Sequence, residues 1–185
     1  LKIIITAGNH DSASRLEAPN PLLQHINVFV RGVVKRDIDG EIDLDNLIVP
    51  ICINNDIAAY CLAVPYLRQG DYPRSDSYAE GVQKLYLLLY EKVKDKNVPI
   101  IAMGHLQATG SELSDNDRSE RSVIGGIEGI SPDAFASGIA YTALGHLHRA
   151  QRVSGRENVR YSGAPLPMTF AEKNNRHKVV LVNIE

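Results

Sequence analysis

The amino-acid sequence predicts a layered fold of the α+β or α/β class, in which several β-strands combine with few helices. Short apolar runs separated by turn residues recur along the 185 residues, and only one long segment has clear helical periodicity. Hydrophobic residues make up 44% of the chain, which is enough for one substantial core at this length. These observations favour a single domain over residues 1–185.

The first third of the chain reads as strand, broken helix and strand. Residues 2–7 form a continuous apolar run, which predicts a strand buried on both faces. Residues 12–25 are predicted to be helical with a break, because Pro19 and Pro21 cannot lie inside one continuous helix. A second strand is predicted over residues 26–34.

The middle of the chain contains a hairpin signal and the clearest helix. Two β-rich runs, residues 47–53 and 58–64, flank Asn54-Asn-Asp56 and predict a β-hairpin. Residues 82–93 carry apolar side chains at helical spacing with Lys and Glu between them, which predicts an amphipathic helix.

The second half alternates strands with polar connections. Residues 98–103 and 139–144 are predicted strands, and the remainder alternates strand and turn to Glu185. Residues 107–122 form a long, polar and charged segment, and loops of that length in compact domains are usually functional.

Composition excludes several classes of protein. A net charge of −2 excludes a protein that coats nucleic acid through bulk positive charge. No apolar run approaches the roughly 20 residues that a membrane span needs. Cys52 and Cys61 lie in apolar stretches with no zinc-site spacing, and we interpret them as buried thiols of a cytoplasmic, reducing compartment. Because Leu1 lies directly before a predicted core strand, we interpret the chain as a fragment of a longer polypeptide.

Three predicted strands end in the same chemistry. In each case an apolar run ends at a glycine, which permits a sharp exit, and a possible metal ligand follows. Four of the six histidines lie in these positions, whereas His25 and His177 lack this context and are interpreted as structural or surface residues. The three segments are Gly8-Asn-His-Asp11, Gly104-His105 and Gly145-His-Leu-His148.

These strand ends predict a metal site for phosphoester chemistry. Ligand sites of layered sheet folds lie beyond the carboxyl ends of strands, so four imidazoles and one amide converge if the three strands run side by side. Imidazole with amide and carboxylate oxygens suits Mn, Fe or Zn better than Ca. Mixed nitrogen and oxygen ligands on paired ions are typical of phosphoester hydrolysis.

The same segments resemble the third, fourth and fifth motifs of calcineurin-like metallophosphoesterases. A finer similarity, to the SbcD family of bacterial DNA-repair nuclease subunits, lies in residues 109–121, 141–149 and 161–168 and extends over essentially the whole chain. The resemblance implies an αββα sandwich of two mixed β-sheets flanked by helices.

The resemblance also implies a ligand set for two metal ions. Asn9, His105 and His146 would bind the second ion, and His148 would bind the first. Manganese would be the working ion, with magnesium a weaker substitute. His10 would act on the transition state or the leaving group.

The sequence departs from the family in one large respect. The family's first motif, Asp-x-His, and its second, Gly-Asp-x-x-Asp, are absent from this chain. The bridging carboxylate and most ligands of the first ion are therefore absent too. We expect the chain alone to bind metal weakly or not at all, to lack nuclease activity, and to expose apolar surface at an open sheet edge. Asp11 is a candidate to orient His10.

Contacts to DNA and to partner proteins follow from the same resemblance. It implies a double-stranded DNA substrate, an SbcC-type ATPase partner and a homodimer whose contact lies near residues 12–25. Guanidinium groups pair well with phosphate oxygens, so four arginines after the last motif are candidate DNA contacts. A solvated hairpin that merely carries these side chains is an equally open interpretation. The four are Arg149, Arg152, Arg156 and Arg160.

Two other functions stay open on the sequence. One is a phosphomonoesterase or cyclic-nucleotide phosphodiesterase of the same superfamily. The other is a non-catalytic scaffold on the same fold. Each ligand position of the three motifs present is filled in this sequence, which counts against a scaffold for the parent protein.

Overall fold

A computed structural model describes residues 1–112 and 129–184 of the protein. Three α-helices lie in this part of the chain: α1 (Ala13–Glu17), α2 (Asn20–Leu23) and α3 (Tyr78–Val93). Short 3-10 helices include Gln24–Ile26 and Phe170–Asn174. The strands are β1 (Ile3–Thr6), β2 (Val28–Arg31), β3 (Ile48–Ile53), β4 (Asp56–Ala63), β5 (Ile100–His105), β6 (Tyr141–Gly145), β7 (Gln151–Val153) and β8 (Arg156–Tyr161).

The strands form two sheets. The larger sheet has six strands in the order β3-β4-β5-β6-β8-β7 and is mixed, because the outer pairs β3–β4 and β7–β8 are antiparallel while the inner pairs are parallel. The smaller sheet pairs β1 with β2 in parallel. The predicted α+β fold with a mixed sheet is confirmed, although in the described residues the smaller sheet is parallel rather than mixed.

Each face of the larger sheet is covered by a different element. Helix α3 packs on one face, where Val82, Leu85 and Leu89 are fully buried. The hydroxyl of Tyr86 in the same helix donates a 2.8 Å hydrogen bond to the carbonyl of Met103 in β5. A second apolar cluster joins the two sheets and consists of Val49, Cys61 and Ala63 with Ile4, Phe29, Ile51 and Met103 around them.

Most predicted elements are present with shifted ends. The hairpin is confirmed as antiparallel β3–β4, and the amphipathic helix is confirmed but begins at Tyr78. The predicted break in residues 12–25 is confirmed between α1 and α2. Of the predicted loop over residues 107–122, the part from residue 113 onward lies outside the described residues.

Two predictions of burial were wrong. Strand β1 is buried on one face only, because Ile4 faces the second cluster while Ile3 and Ile5 remain 45% and 38% exposed. Cys52 is exposed rather than buried, since it lies in an edge strand at the irregularity near the hairpin turn. Cys61 is buried, and burial raises the pKa of its thiol to about 12.

A buried carboxylate ties α1 to the segment that leaves β2. Glu17 is 7% exposed, and its Oε2 accepts hydrogen bonds from the backbone N–H groups of Gly32 at 2.7 Å and Val33 at 2.9 Å. Its Oε1 lies 2.9 Å from Nζ of Lys35. Burial raises the pKa of Glu17, but the hydrogen bonds from Lys35 and the two backbone groups outweigh burial, so its pKa is lowered overall.

Replacing Glu17 with Gln should lower the free energy of unfolding at pH 7 by about 1–3 kcal/mol, because hydrogen bonds to a charged acceptor are lost. The folded-state pKa of Glu17 lies below the ordinary 4.5, so its contribution is present above pH 4.5 and is lost as pH falls through that lower value. Denaturant unfolding at pH 7 and in acid measures both effects.

Glu91→Gln is a matched control, because Glu91 is exposed and pairs only with Lys94 among the described residues. Its effect should stay within about 0.5 kcal/mol. A Glu17→Gln difference that is as large in acid as at pH 7 would contradict the proposed charge dependence.

Candidate metal centre

The candidate site is built where β5 and β6 end together. These strands are adjacent and parallel, with His105 in register with Gly145. The rings of His105 and His146 therefore lie side by side, with centroids 5.4 Å apart in an edge-to-face arrangement. Parallel pairing in this register places two of the predicted ligands at one edge of the sheet.

The third predicted strand reaches the site from the opposite sheet. Strand β1 does not run beside β5 and β6, as the side-by-side arrangement required, because it pairs with β2 in the smaller sheet. The two sheets pack against each other, and the turn after β1 brings Oδ1 of Asn9 to 2.8 Å from Nε2 of His105. The amide and the imidazole thus meet across the interface between the sheets.

His10 and His148 complete a group of four imidazoles. Both lie near enough to His105 and His146 to lower the pKa of those two rings. His10 is exposed, whereas His148 is partly buried and its Nδ1 lies 3.0 Å from Oε1 of Glu172. The structure therefore brings together the residues of all three sequence motifs.

Two glycines leave space for the His105 ring. A Cβ atom at Gly8 would lie 2.7 Å from Cε1 of His105, and one at Gly145 would lie 2.9 Å from its Nδ1. Tyr66 contacts the same ring edge-to-face, with centroids 6.1 Å apart. These close contacts explain why glycine precedes the polar residues in two of the motifs.

Asp11 closes the turn that carries Asn9 and His10. Its Oδ2 accepts a 2.7 Å hydrogen bond from the N–H of Gly8, and its own N–H donates to the carbonyl of Gly8 at 3.3 Å. The described residues contain no hydrogen bond between Asp11 and His10. Asp11 therefore stabilises the turn through its hydrogen bonds with Gly8.

His146 has an uncommon backbone conformation for a residue with a side chain. Its φ angle is +105°, in the region that favours glycine. Such conformations cost of order 1–3 kcal/mol and concentrate at functional sites. His146 directly follows Gly145, which pairs with His105, so this unfavoured conformation lies within the imidazole cluster and marks position 146 as one where the side chain matters.

The environment keeps the central imidazoles neutral near pH 7. Burial, together with the neighbouring His146, lowers the pKa of His105 to about 4. Burial likewise lowers the pKa of His146, with His148 and His10 adding to the effect. A neutral imidazole has the lone pair that a metal ligand needs.

The donor set fits one part of a transition-metal site. Oδ1 of Asn9 and Nε2 of His105, which lie 2.8 Å apart, would both be near one bound ion. Imidazole nitrogen and amide oxygen suit ions such as Mn and Zn. Within residues 1–112 and 129–184, no group of three or more His, Cys, Asp and Glu side chains could hold an ion by itself.

The four candidate DNA-contacting arginines are already paired with carboxylates. Arg149 and Arg160, with Lys178, line a cleft of roughly 480 Å³ next to the segment that carries His148. A phosphate group would have to compete with the acidic partners for these side chains. The pairs are Arg149–Glu112 at 3.0 Å, Arg152–Glu157 at 2.7 Å, Arg160–Glu157 at 3.3 Å and Arg156–Asp133.

Sequence reasoning did not single out Glu172, the buried carboxylate that contacts His148. Burial raises the pKa of Glu172, but hydrogen bonds from His148 and from the N–H of Met168 outweigh burial, so its pKa is lowered overall. Its only signal in the sequence is its place shortly after residues 161–168, which carry part of the family resemblance.

Two packed β-sheets with an imidazole and amide cluster at the strand ends define a metallophosphoesterase-like domain. No family model matches the chain. Over its entire length, however, the chain is 39% identical to the D subunit of nuclease SbcCD from Rhodobacter capsulatus, of which it covers 48%.

Further relatives carry the same name. Identity is 31% to the Escherichia coli K12 protein and 27% to the Bacillus subtilis protein, over 97% and 98% of this chain and 46% of each relative. The chain is thus similar over nearly its whole length to SbcCD D subunits and spans about half the length of the curated relatives it matches.

No helix in the described part of the chain has both the length and the apolar character needed to cross a membrane.

Replacing Gly8 with Ala should displace the His105 ring, because the new Cβ would lie 2.7 Å from Cε1. We expect a loss of about 1–3 kcal/mol in the free energy of unfolding, as for other overpacked sites. Denaturant unfolding measures this loss. NMR spectra of ¹⁵N-labelled histidine should show a changed His105 signal as its contact with Asn9 is lost.

Gly40→Ala is the control for this experiment. Gly40 has a φ angle of +81° and open space around it, so Ala there should cost about 1–2 kcal/mol through backbone conformation alone. The His105 signal should not move. An unchanged His105 signal in Gly8→Ala as well would show that the glycine does not set the position of the ring.

Proposed function

We propose that this chain is the part of a metal-dependent DNA nuclease subunit that supplies the histidine and asparagine ligands of a two-metal site. The observation that carries the proposal is the meeting of Asn9, His105 and His146 at the joined ends of β5 and β6, with His10 and His148 beside them. The name that the relatives share, in which SbcCD is called a nuclease, supports nucleic acid as the substrate.

Each residue has a distinct task in this proposal. Asn9, His105 and His146 hold the second ion, and His148 contributes to the first. Bound Mn²⁺ would supply Lewis-acid chemistry that neutralises negative charge on the phosphate, with Mg²⁺ a weaker substitute. His10, exposed on the turn that Asp11 closes, protonates or stabilises the leaving oxygen.

The remaining ligands would come from the part of the relatives' length that this chain does not span. Carboxylates would then complete both ion sites. We infer that the chain alone binds metal weakly or not at all and does not cleave DNA.

Titration calorimetry of the 185-residue chain with Mn²⁺ tests this inference. We expect weak binding or none, because the carboxylates that would complete both ion sites belong to the two family motifs that this chain lacks. The same titration with the natural full-length protein is the comparison and should show two tight sites. Two tight sites on the 185-residue chain would contradict the partial-site proposal.

DNA phosphates would contact the basic cleft beside the site. Arg149, Arg152, Arg160 and Lys178 line it, and Arg156 lies on the same hairpin as Arg152. An ATPase subunit of the SbcC type is the proposed partner, which agrees with the complex named in the relatives. The whole protein would act as a homodimer in the cytoplasm on double-stranded DNA.

Replacing His10 with Gln in the natural full-length protein should reduce DNA hydrolysis by about 10²–10⁴-fold, because an amide cannot transfer a proton. Metal occupancy should not change, since His10 is not among the proposed ligands. Cleavage of a linear duplex in Mn²⁺ and calorimetric metal titration measure the two quantities.

The choice of substrate in the same assay separates the candidate functions. Rapid hydrolysis of a small aryl phosphate without duplex cleavage would indicate a phosphomonoesterase, and a wild-type protein inactive on both would favour a scaffold. Full activity of His10→Gln would contradict the role given to this imidazole.

A further inference from the structure

We propose that Glu172 is a positioning residue whose carboxylate accepts the Nδ1–H of His148 and thereby leaves Nε2 of that ring as the nitrogen that ligates metal. This inference rests on the proposed function, because it assigns a partner to one of the proposed ligands. Neither the sequence motifs nor the name of the relatives assigns a role to this buried, charged side chain.

Glu172 is held as a hydrogen-bond acceptor on both oxygens. Its side chain is 0% exposed and lies in the 3-10 helix Phe170–Asn174. Oε1 lies 3.0 Å from Nδ1 of His148 and accepts from the hydroxyl of Thr169 at 3.2 Å. Oε2 accepts from the N–H of Met168 at 2.9 Å.

This geometry favours Nδ1 as the nitrogen of His148 that bears the hydrogen. A carboxylate that already accepts from Met168 and Thr169 acts as an acceptor toward the ring, so Nδ1 must be the donor. In a neutral imidazole the other nitrogen then has the lone pair. Histidines that ligate metal commonly donate their second N–H to a carboxylate, which fixes the tautomer and the ring orientation.

The backbone of His148 is held by the same segment of chain. Its carbonyl accepts a 3.0 Å hydrogen bond from the N–H of Ala164. Gly163 has a φ angle of +78°, and a Cβ atom there would lie 2.6 Å from that carbonyl oxygen. Residues 163–172 therefore hold both the main chain and the ring of His148, which is the arrangement expected for a preorganised ligand.

A purely structural role for Glu172 makes a different prediction. If the carboxylate served only to fold residues 168–172, its replacement would lower stability without changing the tautomer of His148. The two roles are separated by measuring the ring directly and by measuring metal affinity, both of which are independent of nuclease activity.

The experiment uses the natural full-length protein labelled with ¹⁵N-histidine. In the metal-free wild type, long-range ¹H–¹⁵N spectra should show His148 as the Nδ1–H tautomer. In Glu172→Gln this preference should be lost, and Mn²⁺ affinity measured by calorimetry should fall about 10–100-fold. Glu91→Gln, an exposed site on α3, is the matched control and should change neither quantity.

The outcomes separate this inference from the proposed function. An unchanged His148 tautomer together with unchanged Mn²⁺ affinity in Glu172→Gln overturns the inference, while tight binding by the wild type leaves the proposed function standing. A wild type that binds no Mn²⁺ overturns the proposed function, whereas loss of the tautomer preference in Glu172→Gln would still support the contact.

Should Glu172→Gln fail to fold, Thr169→Val provides the second test. It removes one donor to Oε1 and leaves the buried carboxylate and its bond to Met168 in place. His148 should therefore remain the Nδ1–H tautomer while thermal unfolding stays cooperative. A folded Thr169→Val protein in which His148 is the Nε2–H tautomer would overturn the inference.

Discussion

The parallel pairing of β5 with β6 is the constraint on which the site depends. Its register places His105 opposite Gly145, so a residue without a side chain stands where the imidazole needs room. A shift of one residue would send alternate side chains to the other face and separate the rings. Burial by α3 on one face and by the smaller sheet on the other makes such a shift costly, so the core of the fold and the geometry of the site are set by the same hydrogen bonds.

Local patterns in the sequence predicted the elements well, and contacts between distant residues much less well. The β3–β4 hairpin and helix α3 follow from turn residues and from apolar spacing, and the Gly-His strand ends follow from short motifs. That Asn9 reaches His105 from the opposite sheet depends on how two sheets pack, which periodicity along one segment does not encode. Cys52 shows the same limit, because an apolar neighbourhood in sequence does not reveal a position at a sheet edge. The contact between Glu172 and His148 spans 24 residues and has no local signature.

Glu17 and Glu172 solve the same structural problem in different places. Each is a carboxylate with little or no exposure. Glu17 accepts the backbone N–H groups of Gly32 and Val33, and Glu172 accepts that of Met168. A carboxylate can serve several donors at once because it has two oxygens and carries negative charge. Glu17 secures the exit from β2, and Glu172 secures the loop that meets the end of β6. Ionised side chains thus hold irregular backbone in this protein where regular strand pairing stops.

The backbone of His146 has a consequence for how such a protein can change over time. A φ angle of +105° is favourable for glycine and unfavourable for histidine, so the histidine is present at a cost in backbone conformational energy. Selection for thermal stability alone would favour glycine at position 146, and the imidazole would then be lost. At this residue, glycine would favour thermal stability, whereas histidine preserves the imidazole cluster. Such a trade-off between stability and activity limits how stable an active protein becomes.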